Sequence, residues 1–223
     1  PPTTSLEDRA ETVSRLIDAE KTPSKAATLI KNVLSNEDNF KNEDNSYDPD
    51  FHHSVASIAF NNFLEKHPTK LKDALTIANH FPEKYKSQAL SALSQQAADA
   101  GKYNIAAAIA KQTDSGYSPN DIQEKFTKDL PKILAAKKKI NESHIIDFMA
   151  TMSNDSHWLN AAKQLSDSQK LNADSMTEIL SNKPEGFTPN SFDWSLSTTA
   201  NLLKDAQTPE NVGKKYQDLK RYA

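Results

Sequence analysis

The densest set of potential ligand atoms lies over residues 44–53, where Asp44, Asp48, Asp50, His52 and His53 supply three carboxylates and two imidazoles. Carboxylates at alternating positions are the oxygen donors a hard cation such as Ca²⁺ takes. The spacing does not match a calcium-binding helix–loop–helix: counted from Asp44, the sixth residue is Pro49 rather than glycine and the twelfth is Val55 rather than glutamate. His52 and His53 are adjacent, so on a helix their rings diverge by about 100° and do not chelate together. The reading this favours is a solvated acidic loop, with no metal and no cofactor.

Other arrangements that carry chemistry are missing from the order of residues. His80, His144 and His157 fall on separate expected helices, none in a His-x-x-x-His pair. The chain has no Cys, which removes disulfides, thiolate metal sites and a Cys nucleophile. Four glycines leave no phosphate-cradling loop and no Gly-x-Ser-x-Gly elbow. The carboxylate pairs Glu7/Glu11 and Asp38/Glu43 read as a helix face and a loop. Lys137, Lys138 and Lys139 end an expected helix, where cations suit the negative end of the dipole. With a net charge of −3, neither they nor Lys214, Lys215, Lys220 and Arg221 imply nucleic acid. No apolar run approaches the roughly 18 residues that span a bilayer.

The elements that would position any site are helical. Gly is scarce, strong helix formers are abundant, and apolar residues recur at spacings of three and four. The pattern predicts helices over 5–20, 23–35, 53–66, 69–80, 84–100, 103–113, 119–129 with a bend at Pro131 and a second piece to Lys138, 142–153, 155–167, 173–181, 196–206 and 209–221. The last carries Val212, Tyr216 and Leu219 as one apolar stripe. Helix starts are marked by Thr22-Pro23, Ser118-Pro119, Thr188-Pro189 and Thr208-Pro209, where a hydroxyl can cap and Pro can occupy the first turn. Gly101 sits where a helix ending near Ala100 wants a left-handed residue. Only 36% of residues are hydrophobic, so the expected core is thin and an elongated stack suits it better than a globule.

Two segments break the pattern. Residues 36–50 hold six acids against one Lys, a composition expected to be mobile. Residues 182–195 place Phe187, Phe192 and Trp194 among Pro and Gly. Those rings either dock on the last helices and cover the end of the stack, or anchor a partner.

Ala74-Leu75-Thr76-Ile77-Ala78 and Ala106-Ala107-Ala108-Ile109-Ala110 begin 32 residues apart, and Tyr85 and Tyr117 keep that offset. Together with Tyr85-x-Ser87-x-Ala89-Leu90 and Ala98-x-x-Gly101-x-Tyr103, this resembles the helical-hairpin repeats of tetratricopeptide-like (TPR-like) proteins. The resemblance is carried by residues 70–117 and extends at most over 53–138. Outside that stretch it fades, with Asp121 where Ala89 has a small side chain. It implies an all-α fold: a superhelical stack of antiparallel hairpins, an α-solenoid of about ten to twelve short helices. It also implies that the first helices of successive hairpins, 53–66, 84–100 and 119–129, line a groove for a protein or peptide partner. Asn61, Asn62, Lys86, Gln88, Gln95, Gln123 and Lys125 would then contact that partner.

The expected organisation is an N-terminal hairpin over 1–35, the acidic loop 36–52, a repeat core 53–181 and capping helices 182–223, in one continuous domain. The expected function is a non-catalytic protein–protein interaction module. An initial Pro1-Pro2-Thr3-Thr4-Ser5 without Met or signal peptide suggests a piece of something longer. The alternatives are a scaffold segment packing on other domains of a larger protein, such as a bacterial effector, or an enzyme using converging carboxylates.

Overall fold

The computed structural model of the chain describes residues 22–42, 44–113, 116–136, 140–168, 170–182 and 184, with isolated positions 8, 11, 12, 15 and 20 before them. The helices expected over 196–206 and 209–221, most of 5–20, the rings Phe187, Phe192 and Trp194, and Lys137–Lys139 lie outside the described residues. The fold is all-α. Nine α-helices are present among the described residues: α1 Pro23–Leu34, α2 Pro49–Lys66, α3 Leu71–Ala78, α4 Glu83–Asp99, α5 Tyr103–Ala110, α6 Pro119–Ala135, α7 Glu142–Met149, α8 Asp155–Ser168 and α9 Ala173–Ser181. Two compact units hold them, Pro1–Ser118 and Pro119–Ala223.

Periodicity explains what each helix buries. In α1, Ala26, Ile30 and Leu34 recur every fourth residue and are buried. In the first unit α1 packs on α2 and α3, α3 on α4, and α4 on α5. The alanines allow close approach: Ala74, Ala78, Ala97, Ala106 and Ala110 are almost fully buried. Buried Ser94 donates through Oγ to the Ala106 carbonyl at 2.9 Å, tying α4 to α5. In the second unit α6 packs on α8, and α7 and α8 pack on α9. The rings of Phe126 and Phe148, 4.7 Å apart, join α6 to α7.

Long and short helices alternate from Pro49 onward. Helices α2, α4, α6 and α8 have 18, 17, 17 and 14 residues, whereas α3, α5, α7 and α9 have 8, 8, 8 and 9. The long ones begin at residues 49, 83, 119 and 155, hence every 34 to 36 residues. The sequence shows this rhythm only around α3–α5. It fades beyond because the connection after α6 is longer, moving the start of the next short helix from the expected phase to Glu142.

One expected cap is not made. Thr22 precedes Pro23 in extended conformation, but its hydroxyl makes no cap bond. Asp48 and three asparagines cap other helices. Asp48 Oδ1 accepts from the N–H groups of Asp50 and Phe51, while Asn141, Asn154 and Asn172 accept from His144, His157 and Ser175. Gly101 does end α4 as expected. It has φ +72, the N–H of Lys102 reaches Ala97 O at 2.8 Å and that of Gly101 reaches Ala98 O at 2.9 Å, a Schellman closure.

Gly116 is required for a different reason. Its φ is +92, and a Cβ there would overlap the Ser91 side chain. Ser91 Oγ in turn accepts from the Tyr117 N–H at 2.6 Å, so neither group can step aside cheaply. Gly116→Ala is expected to destabilise the protein by roughly 2–3 kcal/mol, read as a lower urea midpoint.

Rather than ending before Pro131 and resuming as a second piece, α6 is one helix from Pro119 to Ala135 with Pro131 inside it. Proline removes the N–H that would bond the Thr127 carbonyl four residues back. That carbonyl is taken by Gln164 Nε2 of α8, at 3.3 Å.

The acidic segment also carries more structure than its composition announces. Glu37–Phe40 form a 3₁₀ turn, Lys41 and Tyr47 make an isolated antiparallel bridge, and Phe40 is fully buried.

Candidate functional site

Side chains that bridge helices two apart in chain order recur at separations of 30 to 35 residues. Asp50 of α2 accepts from the Tyr85 hydroxyl and lies 3.5 Å from Lys84 Nζ on α4. Asn154 donates to Asn120 Oδ1, and Glu142 accepts from Asn172 and Ser175. In the first unit the Asp50 bridge ties the start of α2 to the start of α4. The His53 ring stacks on Tyr85 at 3.9 Å and meets Phe81 edge-on at 5.9 Å, while Phe60 meets Phe81 at 5.7 Å. The Tyr85 hydrogen bond, then the Lys84 charge, holds the Asp50 carboxyl below its ordinary range.

Beside this seam runs the exposed face of α4. Lys84, Gln88, Ala92, Gln95 and Asp99 are exposed at spacings of four, four, three and four, which places them on one stripe of the helix. On α2, Asp50, Asn61 and Glu65 are exposed, with His53, Ser54 and Ser57 half-buried. The charges at the head of the seam neutralise each other. Between the two ends of the α4 stripe stand two carboxamides and one alanine, and α2 adds a third carboxamide with half-buried hydroxyls. Such a surface offers both hydrogen-bond donors and acceptors without selecting a charge.

The seven residues chosen from the sequence fare differently. Asn61, Gln88 and Gln95 are exposed on the α2 and α4 surfaces. Asn62 is half-buried and already engaged. Lys86 is half-buried, 3.9 Å from Glu83. In the second unit, Lys125 pairs with Asp129 at 3.1 Å. Gln123 must be withdrawn from any contact surface. It is 3% exposed, and its Oε1 accepts from the N–H groups of Ser153 and Asn154 at 3.2 and 3.0 Å.

The carboxylate and imidazole cluster does not converge. Asp44 accepts from Ser46, Asp48 caps α2, and Asp50 serves Tyr85 and Lys84. His52 is turned to Phe40 and Tyr47, and His53 to Tyr85. Among the described residues no three metal-ligating side chains come together, and no helix is long and apolar enough to cross a membrane. The sequence reading missed the bridge between Asp50 and Tyr85. Its only signal there is their separation of 35 residues, close to the interval between long helices.

Comparison with known proteins gives no match to a protein-family model, a curated protein or a solved structure.

Proposed function

We propose that the chain is a non-catalytic protein-interaction module, a TPR-like helical repeat whose long helices hold a peptide or a segment of a partner protein. The observation that carries this reading is the exposed stripe of α4, in which Gln88 and Gln95 stand on either side of Ala92, together with the exposed Asn61 on α2. Long-helix faces in such repeats are the partner-facing ones, and neutral amides suit the alternating donors and acceptors of an extended backbone. The short side chain of Ala92 leaves room for that backbone to lie close to the helix. Asn61, Gln88 and Gln95 are the contact residues in this reading. Gln123 is excluded by its burial, and Asn62, Lys86 and Lys125 are already engaged.

A random peptide display library panned against the whole chain tests the reading. Enriched peptides should bind the wild type, and the double variant Gln88→Arg/Gln95→Arg should weaken them by about tenfold or more through lost hydrogen bonds and blocked access. Failure to enrich any peptide, or enriched peptides that bind the variant equally, would overturn it. The melting temperature of the variant serves as the folding control, since both positions are exposed.

A further inference from the structure

We propose that residues 36–42 and 44–48 form a strap latched to the start of α2 by the neutral ring of His52, and that protonating this ring unlatches the strap. The latch is built from two strap side chains closing on one imidazole. The Phe40 ring lies flat on His52, with centroids 4.0 Å apart and planes 4° from parallel. Tyr47 approaches edge-on at 5.9 Å, and its hydroxyl is 2.8 Å from Nδ1. The backbone folds around this contact: Asp48 N–H donates to Phe40 O and Asn42 N–H to Ser46 O, each at 2.8 Å.

Between them these contacts bury His52 to 5% exposure, while Tyr47 keeps 37%. We assign the phenol as the donor to Nδ1, which makes the ring neutral with its proton on Nε2. Nε2 has no hydrogen-bond partner of ordinary geometry. A second proton would therefore put a charge between Phe40 and the helix and deprive the phenol of its acceptor.

The surrounding charges decide how readily that happens. On the strap, Glu37 and Asp48 face Tyr47, Lys41 is taken up by Asp38 at 2.6 Å, and Asp44 accepts from Ser46. On α2, Asp50 is committed to Tyr85 and Lys84, and His53 opposes a charge on its neighbour; after α3, His80 opposes it through its ring and favours it through its backbone. Burial is the largest influence, and the ring's pKa is pushed down to about 4 from 6.5. The sign follows directly. An unlatched ring binds a proton near 6.5, the latched one only near 4, so the strap is fully held above the first value and weakens as pH falls toward the second.

Because Asp48 also caps α2, release frees Phe40 and uncaps the helix together. The device stands whether or not the α2–α4 face binds a peptide.

Hydrogen exchange of the whole chain, corrected for intrinsic rates, tests it at about pH 7 and about pH 5, either side of the free imidazole value. Protection of the Asn42 and Asp48 amides should fall by about tenfold or more at the lower pH, since each unit below the free value favours release about tenfold. His52→Phe keeps a flat ring against Phe40 but cannot titrate, and should abolish the pH dependence. Tyr47→Phe, at a partly exposed position, removes the donor that favours the neutral ring and should move release upward by about half a pH unit. Protection unchanged to about pH 4.5 in the wild type, equal loss in His52→Phe, or an unmoved midpoint in Tyr47→Phe would each sink the proposal.

Discussion

Trp158→Ala is expected to destabilise the protein by about 3–5 kcal/mol, the largest effect of any single substitution considered. Trp158 lies on α8, 1% exposed, and is among the largest fully buried side chains. It stands in phase with Ala161, Ala162 and Leu165, which are buried with no measurable exposure. The alanines matter to the magnitude: they already lack side-chain volume, so little apolar mass is available to collapse into the space an indole leaves. A domain whose total stability is about 5–15 kcal/mol would lose a large share of it. Urea unfolding followed by far-ultraviolet circular dichroism measures this. Lys163→Ala, an exposed position on the same helix, should shift the midpoint by no more than about 0.5 kcal/mol equivalent. Similar midpoints for the two variants would refute the assignment of Trp158 to the core.

Gln123→Leu comes second, at about 2–4 kcal/mol, and for an electrostatic reason rather than a volumetric one. Leucine fills nearly the same space, so no cavity forms. What is lost is the acceptor for two backbone N–H groups, those of Ser153 and Asn154, in the connection leading into α8. Gln123 Nε2 also donates to Ser153 Oγ at 3.4 Å. Both hydrogen bonds are part-buried, so the cost to donors left without this acceptor grows with how far water is kept from them. Gln123→Glu keeps oxygens in place to accept both N–H groups and should fall between the wild type and leucine. If the leucine variant unfolds at the wild-type midpoint, Gln123 is not holding that connection. The comparison also separates structure from the proposed recognition: if the chain binds peptides as proposed, a stability loss without change in binding by the folded fraction is the expected outcome.

Much of the helix content is legible because apolar residues at spacings of three and four dominate each segment. The limits lie in features that periodicity averages away. Phe40 and Tyr47 are two rings within an acidic stretch, and composition alone turns that stretch into a solvated loop. Their partner is a histidine several residues along, a pairing no local pattern announces. Polarity alone draws Gln123 to the proposed partner face. Its spacing argues otherwise: Gln123, Thr127 and Leu130 follow a buried helical stripe with Phe126, and all four are buried. Asn61, Gln88 and Gln95 rest on the same grounds and are exposed. The difference is phase, which a single sequence gives only to within about one residue at the helix boundaries.

Pro131 carries a consequence for how the hairpins of the second unit recognise one another. A continuous helix ordinarily keeps all its interior carbonyls to itself and offers neighbours only side chains. By withholding one N–H, this proline turns the Thr127 carbonyl outward as a fixed acceptor, and α8 answers with Gln164. The pair works as an address written into the main chain. A long helix without a suitably placed amide could bury the same apolar stripe against α6 and still strand that carbonyl. In the second unit the pairing of α6 with α8 is therefore specified by a main-chain acceptor as well as by apolar burial.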